Sequence, residues 1–206
     1  MFDNFKFIIM KNILTSVLFV VITITSFAQT NESSKEAHIT FKGVPINGPL
    51  KEYISEMKSK GFVLIRENNG IAVFEGDFAG YRNCEIGVVT IKGKDLVSRA
   101  GVLFSEQDTW KDLSSNYFDL KELLSEKYGA PSQVVEEFNR AYSAKDDNDK
   151  MYEIKMNRYK YYSKFELENG SIQLSIENVD GSTYVRLMYY DKINGEISRE
   201  KALEDL

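Results

Sequence analysis

Apolar positions recur along this chain in two rhythms. Leu50, Tyr53, Ile54 and Met57 fall on one helical face, with Lys51, Glu52, Glu56 and Lys58 on the other. The spacing predicts a first helix, capped by Asn47, with Pro49 in its first turn and Gly61 at its end. Trp110, Leu113, Tyr117, Leu120 and Leu124 repeat the rhythm. They predict a second helix from near Asp108 to just before Gly129, with Pro131 beyond it. Both stripes are one-sided, so each helix needs a flat partner.

That partner is sheet. Phe62 to Arg66 and Ile71 to Phe78 flank Asn69-Gly70, a hairpin turn signal, and Arg82 to Ile91 and Leu96 to Phe104 follow. In the second half Val134 to Phe138, Tyr159 to Leu167, Ile172 to Glu177 and Thr183 to Tyr190 read as strands. Ile172, Leu174 and Ile176 alternate with Ser171, Gln173, Ser175 and Glu177, which marks an antiparallel strand with one buried and one wet face. Asp146-Asp147-Asn148-Asp149 opens a short inserted helix near 144–157, with Met151, Ile154 and Tyr152 as its weak stripe.

Leu50-Lys51-Glu52-Tyr53-Ile54-Ser55-Glu56 resembles Leu120-Lys121-Glu122-Leu123-Leu124-Ser125-Glu126, and similar strand runs follow each segment. Duplication and chance both account for so short a match. The predicted fold is α+β: two tandem helix-plus-four-strand repeats in one antiparallel sheet, with helices on one face. The repeats span 38–106 and 107–192. Residues 29–37 read as a flexible start and 193–206 as a polar tail, with one or two helical turns over 197–206.

Met10-Lys11-Asn12 opens a basic stub, Ile13 to Phe27 carries no charge, and Ser26-Phe27-Ala28 precedes Gln29 as a small-x-small exit. Residues 1–28 thus predict a secretory signal peptide, with Met1 or Met10 as the start; an uncleaved anchor is the alternative. The expectation is a soluble exported protein, periplasmic or extracellular, with no membrane span after cleavage.

With Lys and Arg at 26 against Asp and Glu at 31, the chain has no footprint for nucleic acid. Cys84 is the only cysteine, so no internal disulfide forms, and it reads as a buried, inert thiol. His38 is the only histidine and reads as an exposed residue. Together they offer no zinc set, and the 146–149 run lacks the glycine and glutamate of a calcium loop; neither cofactor nor metal is expected. Glu75 and Asp77 share one side of a strand, where a solvent-facing position accounts for them better than a glycosidase pair. No phosphate loop or nucleophile elbow is present.

Phe78-Ala79-Gly80-Tyr81, Thr109-Trp110-Lys111-Asp112-Leu113, Lys127-Tyr128-Gly129-Ala130-Pro131 and Tyr190-Asp191-Lys192-Ile193-Asn194 accompany the leader ending Phe27-Ala28-Gln29. With helix and four strands twice over, the pattern resembles the fold of the beta-lactamase inhibitor protein. It is also similar to the exported tandem-repeat proteins of Bacteroidetes, some described as PepSY-like. The resemblance implies fold and compartment and transfers no site residues.

If the apolar set of each strand faces the core, Tyr162, Tyr184, Arg186, Met188 and Tyr190 lie on the open face. Tyr, Arg and Met are enriched in interface cores, although cross-strand aromatic pairs also stabilise an open sheet. The functional expectation is a non-enzymatic binding module presenting an aromatic face to a protein or envelope ligand. A carboxylate-dependent hydrolase and an envelope scaffold without a defined ligand are the alternatives; a scaffold predicts no contiguous aromatic patch.

Overall fold

The computed structural model describes residues 37–139 and 144–204. The leader and most of the 29–37 segment lie outside the described residues. A two-strand ribbon comes first, β1 (Thr40–Phe41) and β2 (Val44–Pro45). Helix α1 (Leu50–Ser59) leads into β3 (Val63–Asn68), β4 (Ile71–Phe78), β5 (Tyr81–Thr90) and β6 (Val97–Leu103). Helix α2 (Trp110–Tyr128) leads into β7 (Gln133–Phe138), α3 (Asp147–Lys155), β8 (Tyr159–Leu167), β9 (Gly170–Val179) and β10 (Ser182–Asp191). Helix α4 (Lys192–Glu204) closes the described chain.

The eight long strands form one antiparallel sheet in the order β3-β4-β5-β6-β10-β9-β8-β7. Each half contributes four neighbouring strands, and the halves join where β10 pairs β6. One set of side chains from these strands is buried: Phe74, Ile86, Val102, Leu187, Leu174 and Phe165 run across the sheet among them. The predicted stripes of α1 and α2 are buried with them in one continuous core. Each such aliphatic or aromatic side chain contributes roughly 1.5–3 kcal/mol, which is what pins the helices to the sheet. Trp110 meets Phe138 and Tyr161 edge-on at 5.3 Å, so α2 is also locked to β7 and β8 by ring geometry.

The helix starts obey different rules. Thr109 caps α2, accepting the Asp112 N–H at 3.1 Å, and Asp146 caps α3, accepting from Asp149 at 2.9 Å. Helix α1 departs from expectation. Asn47 does not cap it; Asp95, from the β5–β6 connection, accepts the Leu50 N–H at 2.9 Å instead. In α3 the core takes Met151 and Ile154, while Tyr152 stays exposed and Glu153 is buried in a two-pronged pair with Arg158 at 2.8 and 3.0 Å.

The C-terminal stretch forms a longer helix than one or two turns, the 13 residues of α4. Its anchor is Asn194, buried and donating from Nδ2 to the carbonyls of Ile46 at 3.0 Å and Val97 at 2.8 Å. Asp191, just before it, is fully buried and accepts the N–H groups of Ile39 at 3.0 Å and Asn194 at 2.8 Å. Its third partner is His38, whose Nδ1 lies 3.0 Å away. His38 is therefore half-buried and engaged rather than an ordinary exposed residue, because a buried carboxylate needs its hydrogen bonds filled. Cys84 is buried as expected, and burial pushes its thiol up from its ordinary value.

Candidate binding face

The helix-free face is read off the strand register. One row runs Glu85, Leu103, Arg186, Ser175, Tyr162, Val135 across six strands. The next runs Val73, Gly87, Gly101, Met188, Gln173, Lys164. A third runs Ile71, Val89, Arg99, Tyr190, Ser171, Glu166. Side chains alternate along a strand, so these rows stand opposite the buried set.

All five residues expected on this face are on it, and all are half-buried. Tyr184, Arg186, Met188 and Tyr190 line one side of β10, and Tyr162 lies in the Arg186 row with Ser175 between them. They do not form a contiguous aromatic patch. No ring contact joins Tyr162, Tyr184 and Tyr190, because their register neighbours on β9 are Ser175, Glu177 and Ser171. Tyr162 instead accepts a hydrogen bond from Gln133 at 3.0 Å.

Arg186 is the one charged residue of the set. Its Nη2 lies 2.7 Å from Glu177, and the same carboxylate oxygen accepts the Ser175 hydroxyl at 2.6 Å. The Arg186 Nε is buried with no hydrogen-bond partner, so one donor of its fork stays unused. Tyr159 faces the core side of β8 and donates to the Ile176 carbonyl at 3.2 Å. Burial, reinforced by Glu177, pushes its phenol up to about 12.

Two glycines missing from the sequence-based list shape the centre. Gly87 and Gly101 are directly opposite each other on β5 and β6. Met188 folds over Gly101, and a β-carbon there would meet the Met188 sulfur and lie 2.8 Å from the Leu187 carbonyl oxygen. Gly87 has nothing within 4 Å of where its β-carbon would stand. The result is a depression of about 230 Å³, floored by the two glycines and walled by Val89, Leu103 and Met188, with Glu85, Glu177 and Arg186 as its charged lining. A glycine inside each of two apolar runs was the available signal, since such glycines mark open space or close approach. Which strands they bring together could be known only from the pairing.

Two carboxylates of this face, Glu85 and Glu177, line the depression, and Glu177 is paired with Arg186 at 2.7 Å. Glu75 and Glu85 are register neighbours on β4 and β5, both exposed, with Arg66 3.5 Å from Glu85. Asp77 lies beyond them and accepts the Asn83 N–H at 3.3 Å. No helix among the described residues is long and apolar enough to cross a membrane. Comparison of the chain with protein families, with curated proteins and with solved structures finds no match.

Proposed function

We propose that this chain is a non-enzymatic binding module that works outside the cytoplasm and holds a protein or envelope ligand on its helix-free sheet face. The observation that supports this most is the depression over Gly87. Interface anchors are bulky side chains that enter desolvated pockets, and this one offers apolar walls from Val89, Leu103 and Met188, a backbone floor, and the Glu85 and Glu177 carboxylates in its lining. The leader-like run from Met10 to Ala28 supports the compartment.

The separation of the three tyrosines favours the scaffold alternative, which needs no receiving surface. The depression favours binding, because filling that space would cost the fold nothing and the chain leaves it unfilled. The discriminating experiment is affinity capture from envelope extract with the wild type beside Gly87→Phe. A protein held by the wild type and lost by the folded variant supports the reading. A protein kept equally by both moves the site off this face, and no capture by either favours the scaffold.

A further inference from the structure

Where the open face ends, beyond the β5–β6 turn, a groove of about 880 Å³ runs between that turn, the start of α1 and α4. Lys51, Lys92, Lys94 and Arg99 line it, all exposed, and none forms an ion pair among the described residues. Three carboxylates share the lining. Asp95 caps α1 through the Leu50 N–H, and Asp191 is fully buried under its three donors. Glu67, Asp95 and Asp191 set three negative charges against four cations, so the lining is net positive in a chain that is acidic as a whole. Lys201 of α4 adds a fifth charge at the rim, where its Nζ donates to the Lys92 carbonyl at 2.9 Å and ties the turn to the helix.

We infer that this groove binds an acidic peptide segment. Like charges gathered without partners repel one another, and a polyanion relieves that repulsion while steering its own approach. Lysines recognise carboxylates as point charges without demanding one geometry, which suits an extended chain of them. Ile71 and Val89 give the groove an apolar wall, and Asn69 is its only side-chain amide, so an acidic segment with interspersed apolar residues fits better than a sugar polymer. The choice of a peptide rests on the protein-binding reading of the adjoining face, with which the groove shares Arg99 and Tyr190. The imbalance of charge does not rest on it.

The test uses a fluorescein-labelled peptide of Glu-Glu-Leu repeats, read by anisotropy against the wild-type chain, Lys92→Glu/Lys94→Glu, Lys92→Arg/Lys94→Arg and Gly87→Phe. Lys92 and Lys94 are exposed turn residues, and circular dichroism checks that each variant is folded. The expected result is binding that weakens as salt shortens the Debye length below about 10 Å, falls about tenfold in the charge reversal and survives in the arginine and Gly87→Phe variants. Equal binding by the charge reversal overturns the inference. So does binding of oligogalacturonate or inorganic pyrophosphate in place of the peptide. Because the probe is synthetic, its failure leaves the capture result on the open face standing, and loss of capture leaves the groove result standing.

Discussion

Gly87 and Gly101 stand opposite each other in the same ladder, yet they should answer the same substitution in opposite ways. Neither has a positive φ, so alanine meets no backbone penalty at either site. At Gly101 the added methyl would lie 2.8 Å from the Leu187 carbonyl oxygen, which belongs to the central strand and cannot retreat. Met188 can swing away; the backbone cannot. Overpacking of this kind costs about 1–3 kcal/mol. At Gly87 the methyl meets open space, and alanine narrows the unfolded ensemble, for a gain of about 0.4–1 kcal/mol. With a urea m-value near 2 kcal/mol/M, Gly101→Ala should lower the midpoint by about 1 M, while Gly87→Ala holds or raises it. The assay is equilibrium urea unfolding followed by circular dichroism, with unchanged slopes as the check that only stability moved. Equal losses at both glycines would mean that the space over Gly87 is filled in solution, and the depression would no longer support a binding surface.

Other consequences are as direct. Asp191→Ala leaves the Ile39 and Asn194 N–H groups buried without an acceptor, and at about 1–3 kcal/mol each thermal unfolding should show a loss of about 2–6 kcal/mol. Tyr117 shares its hydroxyl with Ser163 at 2.7 Å, so Tyr117→Phe and Ser163→Ala should each cost about 1 kcal/mol and the double variant less than their sum. Tyr53, Tyr117, Tyr159 and Tyr189 all have phenols held above their ordinary value, with burial as the largest cause and Tyr159 at about 12. A raised folded value means the native state binds the proton more tightly. The stability that follows is present below about pH 10 and is lost as pH rises toward and past 12, so tyrosinate absorbance and loss of secondary structure should appear together there.

Much of this fold is legible in local pattern. The α2 stripe of Trp110, Leu113, Tyr117, Leu120 and Leu124 and the alternation of Ile172, Leu174 and Ile176 are each decided by the period of one element. What local pattern misses is what distant residues settle. Asp95 takes over the α1 cap from Asn47 because the β5–β6 connection delivers a carboxylate to that N–H. Helix α4 has little apolar surface to announce it, and it is held by Asn194 reaching Ile46 and Val97, contacts made only after the sheet closes. The candidate site divides the same way. Strand alternation alone puts Tyr162, Tyr184, Arg186, Met188 and Tyr190 on one face. The depression arises from the pairing of Gly87 with Gly101, and the absence of an aromatic patch from the serines and glutamate that register sets beside the tyrosines.

Carboxylate labelling of the chain with and without its captured partner tests the open face most directly. Glu75 and Glu85 report on that face, and Glu52, Glu56 and Glu122 report on the outer sides of α1 and α2; all five are exposed. The account predicts that the partner protects Glu75 and Glu85 and leaves the helical glutamates reactive. Protection of Glu52, Glu56 or Glu122 with Glu75 and Glu85 still labelled would place the partner on the helices and contradict it.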